Sequence, residues 1–230
     1  MARGTLKLIG ESLSGAALIA VALATPFLRP WRSRWGATDA EVTRTLPGDD
    51  LVPHPKWQWT HAVTIRAPAA DVWPWLVQIG QGRGGFYSYE LLENMVGCRI
   101  HNADRIIPEL ANLQVGDEIL LHPKTPGLPV ASVEPGRALV LHAGAWSPGE
   151  GTADSAGKTP GSYSTVSWMW FLEPIDETTT RLISRYRSDY GPGLANRLAY
   201  GTLITEPIGF AMSRKMLLGI KERAKAAARM

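Results

Sequence analysis

The chain alternates apolar and polar positions most clearly between Thr60 and Arg66, where His61, Val63 and Ile65 share one phase and Thr60, Ala62, Thr64 and Arg66 the other. That period of two describes a strand with one buried face, and Trp57 and Trp59 continue its phase backwards. A turn at Ala67-Pro68 leads into an apolar segment carrying Trp73 and Trp75. Pro68 suits a first helical position, whereas Pro74 predicts an end or kink. Short strands are predicted at Glu118 to His122, Leu128 to Val133 and Ala138 to His142, and longer ones at Thr165 to Glu173 and Thr179 to Ser188. The fourth places Val166, Trp168, Trp170 and Leu172 on one face; the fifth places Leu182, Ser184 and Tyr186 opposite Arg181, Ile183, Arg185 and Arg187. Turn signals between short strands are the mark of an antiparallel meander. The chain closes on a helix from Thr205 to about Ala228. Its apolar stripe is Met212, Met216, Leu217, Ile220, Ala224 and Ala227, with Lys221, Glu222, Lys225 and Arg229 opposite.

Before the first strand the pattern is different. Ser12 to Leu28 is 17 residues without a charge, flanked by Arg3, Lys7, Arg29, Arg32 and Arg34 and followed by Trp31 and Trp35. This predicts a membrane anchor over residues 1–34, at the short edge of a bilayer span. The competing reading is a cleaved signal peptide, because Ala22-Leu23-Ala24 has the small-x-small form. The Lys/Arg bias across the segment leans toward a single-pass protein with a cytoplasmic C-terminal domain. Thr38 to Glu41 fits a capping box and predicts a short helix within a linker over residues 35–56. Ser147 to Ser162 is rich in small and turn-forming residues and predicts a loop.

Composition changes the picture at three points. Apolar content of 45% and 20% charge fit a globular chain with a real core. Nine Trp against four Phe favour pocket lining or core anchors. A single cysteine, Cys98, excludes an internal disulfide framework and a multi-Cys metal site. The net charge of +3 conceals basic ends and an acidic body. That distribution argues for anionic lipid at the ends and against nucleic acid.

The order of strand, short helices, antiparallel strands and long C-terminal helix is an α+β helix-grip arrangement, a curved sheet around a helix with a cavity between. Val63-Thr64-Ile65-Arg66-Ala67-Pro68 followed by Asp71-Val72-Trp73, with the helix Met216 to Ala224, resembles the START-like (SRPBCC) superfamily in its polyketide cyclase/dehydrase-like branch, over about residues 57–228. Trp35-Gly36-Ala37, Gly82 to Leu92 and Asp104 to Leu110 are similar to a bacterial subgroup with a hydrophobic N-terminal segment. The resemblance implies a pocket for a lipid, sterol-like molecule or polyketide, without a cofactor. It carries over no catalytic residue.

Candidate chemistry is sparse. Gly80, Gly82 and Gly85 match a dinucleotide fingerprint, but Pro74 in the preceding run and the lack of strand–helix alternation speak for a turn. No two of the five histidines lie at metal-ligand spacing. His61 points inward and is an acid/base candidate, paired with Tyr186 or Glu118; the plainer reading is a satisfied core histidine. Trp73, Trp75, Trp168, Trp170, Tyr186, Met212 and Met216 are candidates for pocket lining. Arg185, which shares a face with Arg187, is either a site for a ligand carboxylate or a solvated sheet charge. Two functions follow: a membrane-tethered binding or carrier module for a hydrophobic small molecule, or a cyclase/dehydratase-type enzyme.

Overall fold

The computed structural model describes residues 2–144 and 163–228; the loop expected at 147–162 lies outside them. Helix α1 spans Ala2–Ala24, and a 3-10 turn, Pro26–Leu28, leads into α2, Arg29–Arg32. α3 (Asp39–Thr43) starts at the expected capping box, in which the Thr38 hydroxyl accepts from Glu41 N–H and Glu41 Oε2 accepts from Thr38 N–H at 2.7 Å. β1 (Trp57–Ile65), α4 (Ala69–Val77) and α5 (Glu90–Met95) follow. β2 (Glu118–Ile119), β3 (Leu128–Glu134), β4 (Ala138–Ala143), β5 (Ser164–Asp176) and β6 (Thr179–Tyr190) complete the strands. A helix with no clear periodicity in the sequence, α6 (Leu194–Tyr200), precedes α7 (Thr205–Ala227).

The six strands form one antiparallel sheet in the order β1-β6-β5-β4-β3-β2. Consecutive strands from β2 to β6 pair antiparallel, and β1 closes onto β6 with His61 opposite Ser184. The inner face carries Val63, Ile65, Leu139, Leu141, Trp170, Leu172 and Leu182, buried against Met216, Leu217, Ile220 and Ala224 of α7. This is the α+β helix-grip fold, with the sheet curved around α7.

Several local expectations are corrected. Pro68 caps α4 rather than opening it, and α4 continues three residues past Pro74. Pro74 gives up an amide bond, but Trp75, Leu76 and Val77 beyond it are all buried, and that packing outweighs the loss. β2 is two residues long, not five. Ala227 is exposed, and the inward face of α7 instead includes Glu206, Phe210 and Ser213.

The N-terminal segment is built differently from the expected anchor. The uncharged stretch is not one helix: it breaks at Thr25 and bends by 95°. Among the described residues no single helix is long and apolar enough to cross a membrane. Arg32, read from the sequence as a flanking charge, is buried. Its Nε and Nη2 donate to Glu206 Oε1 and Oε2 at 3.2 and 2.9 Å, and its Nη1 donates to the Thr25 carbonyl at 2.7 Å. One guanidinium thus staples the bend to the start of α7. Trp35 does not stand free either; it packs against the core and meets His61 edge-on.

The linker then covers the free edge and back of the sheet. Thr60 N–H and Ala62 N–H of β1 donate to the carbonyls of Ser33 and Trp35, which blunts an otherwise open edge. Gly36 sits at φ +73 with the Ala62 carbonyl 2.2 Å from where a Cβ would be, so only glycine fits. Behind the sheet Leu46 packs on Ala62, Val140, Met169 and Ile183. β1 is therefore buried on both faces, although its sequence alternates.

Candidate functional site

A cavity of about 670 Å³ lies between the inner sheet face, α5, the first turns of α7 and α1. Its size falls within the usual range for small-molecule pockets, about 300–1,000 Å³. α1 supplies Ala16, Ile19, Ala20 and Leu23, spaced so that they share one helical face. The sheet supplies Trp59 and Trp168, and α7 supplies Ile208, Met212, Ser213 and Met216. Close approach is set by two glycines. A Cβ at Gly15 would lie 2.8 Å from the Tyr89 ring, and one at Gly209 would lie 2.7 Å from the Trp59 ring.

The aromatic side chains form a continuous stack along the wall. His61 lies parallel to Trp59 with centroids 5.3 Å apart, and Trp59 stacks on Tyr186 at 4.6 Å. Trp168 stacks on Phe86 and leans on Trp170 at 4.5 Å. Its indole N–H donates to Ser184 Oγ at 3.1 Å.

His61 is wholly buried. Its Nε2 lies 2.9 Å from the Arg32 carbonyl, which can only accept, so Nε2 carries the proton. Nδ1 is then the acceptor of the Ser213 hydroxyl at 2.9 Å. Burial pushes the imidazole down to about 3, against a smaller opposing effect of the Arg32 carbonyl. It is a neutral ring joining β1, α2 and α7, with both nitrogens in use. Burial likewise raises the Tyr186 phenol to about 12.

The expected partner set does not assemble. Glu118 is exposed on β2, and β1 and β2 are the two opposite edges of the sheet, so Glu118 and His61 are not partners. Tyr186 reaches His61 only through the Trp59 ring. Of the residues expected to line the pocket, Trp168, Met212 and Met216 do so. Tyr186 stands behind Trp59. Trp75 and Trp170 are buried in the core, and Trp73 packs half-buried against it. Arg185 is on the opposite face of the sheet: its guanidinium donates to the Thr60 hydroxyl, the carbonyls of Glu41, Val42 and Arg44, and the Asp49 carboxylate. Period two put Arg185 and Tyr186 on opposite faces, and the linker claimed the outer one.

Glu93 is the residue that sequence reasoning missed. It lines the cavity from α5, and Ser88 Oγ–H donates to its Oε1. Its Oε2 is buried with no hydrogen-bond partner. Burial raises this carboxyl to about 7; the Ser88 bond opposes the shift and the neighbouring Glu90 adds to it. α5 spans six residues, too few for a periodicity that would have marked Glu93 as inward. The glycine-rich turn after α4 is closed on itself. Gly80 and Gly85 pair, and Arg83 donates to the carbonyls of Val77, Ile79 and Leu110. Among the described residues no group of three His, Cys, Asp or Glu is placed to hold a metal ion.

No protein-family model and no curated protein matches the chain. Solved structures resemble it at low similarity. Protein MLL2253 from Mesorhizobium loti is 17% identical, with 71% of this chain and 95% of that one covered and a TM-score of 0.33. The Zhui aromatase/cyclase from a Streptomyces species is 15% identical over 75% and 93%, with a TM-score of 0.27. The di-domain ARO/CYC BexL of the BE-7585A biosynthetic pathway is 12% identical over 73% and 46%, with a TM-score of 0.37. At these values no residue role and no activity passes to this chain.

Proposed function

We propose that the protein binds a hydrophobic small molecule, lipid- or polyketide-like, in the cavity behind α1 and holds or carries it. The observation that carries this reading is an open-mouthed cavity of about 670 Å³ whose lining is apolar apart from Ser88, Glu93 and Ser213. Filling it would remove the ligand's apolar surface from water at about 25 cal/mol per Å². The test is native mass spectrometry of the full-length protein, with organic extraction of what co-purifies. The expected result is an adduct that extraction removes and a mixed lipid pool restores. A clean apo mass with no uptake would overturn the reading.

The mouth supports a place for this binding at a bilayer. Leu23, Met95, Val96, Leu121 and Ile208 line the cavity and are exposed as well. Phe27, Leu28 and Trp31 at the bend, and Leu203 and Ile204 before α7, extend the same apolar surface. The buried Arg32–Glu206 pair joins these two stretches. An interfacial helix with Trp and flanking Arg fits a lipid surface, so α1 would lie on the membrane with the cavity facing it. Flotation with vesicles containing anionic lipid tests this: the double variant Met95→Asp, Val96→Asp should stay with the soluble fraction while retaining its fold. Equal flotation of that variant would refute the docking face.

A cyclase or dehydratase reaction is the second reading, and the observation that favours it is Glu93. A cavity carboxyl held at about 7 exchanges its proton at neutral pH. Incubation of the extracted ligand with the protein separates the readings: dehydration would lower the ligand's mass by one water, cyclisation alone would shift its chromatographic retention at unchanged mass, and binding would change neither.

A further inference from the structure

The geometry points to a ligand whose polar end donates a hydrogen bond and carries no negative charge, an alcohol of a hydrophobic body, received by the free oxygen of Glu93. This rests on the reading of the cavity as a ligand site and names the chemistry of its polar spot.

Apart from the weakly polar Cys98 thiol, each polar side chain on the lining is either spent within the fold or left without a partner. The Ser213 hydroxyl is spent on His61 Nδ1, the Trp168 indole on Ser184 and the Ser88 hydroxyl on Glu93 Oε1. Two atoms on lining residues are buried without a partner, Glu93 Oε2, an acceptor when ionised, and Trp59 Nε1, a donor, and a ligand reaches either after a small side-chain shift. A buried carboxylate oxygen without a donor is costly. The neighbouring charge that acts on it is Glu90, of the same sign. No Lys, Arg or His is among the lining residues. A carboxylate ligand would therefore set two negative charges together in an apolar space with no cation between them. An alcohol supplies the missing donor. Trp59 Nε1–H suits any ligand oxygen, ether, alcohol or carboxylate, so it adds affinity without choosing among them. The choice belongs to Glu93.

Three ligands of one chain length isolate this choice: 1-decanol, its isomer methyl nonyl ether, and decanoate. Each is titrated into the full-length protein by calorimetry at pH 8. A hydrogen bond to a charged group predicts that decanol binds at least about tenfold more tightly than the ether. Decanoate should be the weakest of the three. In Glu93→Leu the preference for decanol over the ether should fall to about one. In Glu93→Gln, which keeps the Ser88 contact and a carbonyl acceptor but no charge, decanoate should gain at least tenfold while decanol keeps only the smaller preference of a neutral hydrogen bond. Equal binding of decanol and ether by the native protein, or a preference that survives Glu93→Leu, would overturn the proposal. Should Glu93→Leu fail to fold, an unchanged decanoate affinity in Glu93→Gln does the same. Binding of the ether without selectivity leaves the cavity reading intact and removes only this one. Absence of binding by all three removes both.

Discussion

The two faces of the sheet handle polar groups in opposite ways. Behind it, three arginines of β6 meet the linker: Arg181 pairs with Glu41 at 2.7 Å, Arg185 with Asp49, and Arg187 with Asp49 at 3.0 Å. Burial there would raise the Glu41 carboxyl, but Arg181 and the Thr38 amide hold it at about 2. In front, the cavity contains one carboxyl, no cation and an oxygen with no donor. A face whose carboxylates are all met by arginine describes structure; one with an unpaired carboxyl leaves an interaction for something that is not the chain. The linker, which the sequence presents as a connector, is the structural partner, and the N-terminal helix is a wall of the site.

The contrast can be broken most severely at Arg185. Arg185→Ala takes one of two arginines from Asp49, which keeps Arg187 and the Leu46 amide, and strips three linker carbonyls of their donor. Removing one partner of a buried pair costs about 3–5 kcal/mol, so chemical denaturation should show a loss of that order. At a temperature where the variant still folds, ligand affinity should be unchanged. A large affinity loss in a folded variant would show that the two faces are not independent.

The front face is probed by pH. The Glu93 carboxyl is raised from 4.5 to about 7, so the folded state holds its proton more tightly than the unfolded state. The stability this group contributes is therefore full below pH 4.5, falls as pH rises to 7, and is constant above, a span of about 3 kcal/mol. His61 runs the other way. Lowered from 6.5 to about 3, it costs stability as pH falls below 6.5. Denaturation curves between pH 4.5 and 6.5 should thus show the two slopes opposing in the native protein. In Glu93→Gln stability should rise with pH through the whole window. An unaltered profile in that variant would mean that the Glu93 proton is not linked to folding.

A smaller effect separates packing from binding. Met212 lines the cavity and is only half-buried. Met212→Trp should fill part of the space and weaken ligand binding about tenfold, roughly 1.4 kcal/mol, with little change in melting temperature. Filling without loss of binding would put the ligand elsewhere. Least of all is expected at the rim of the rear clamp. Arg44 and Glu173 pair at 2.7 Å but are both partly exposed, and Glu173→Ala should cost no more than about 1 kcal/mol.

Much of the sheet was legible because strand periodicity is local. The phases of β1, β5 and β6 follow from residues two apart, and the capping box at Thr38 from residues three apart. The cavity was legible only in part. Met212, Met216 and Trp168 lie in recognisable stripes, and Ser213 stands three residues from both Phe210 and Met216, in phase with the inward face of α7. Glu93, Arg32 and Glu206 gave no such signal. Their burial depends on partners far away in sequence: Arg32 meets Glu206 across 174 residues. Ala16, Ile19, Ala20 and Leu23 did carry a one-face pattern, but a stretch that is hydrophobic all round hides it.

The chain's own residues thus determined the order of elements, the inward faces of β1, β5 and β6 and the course of α7, since these rest on short-range periodicity and on the chain's fixed geometry. What covers each face was decided only in three dimensions. Whether Arg185 answers a ligand or a linker, and whether an apolar N-terminal helix packs as a cavity wall, depends on which surfaces meet. A polar group's role follows from the partner it finds, and that partner is rarely near in sequence.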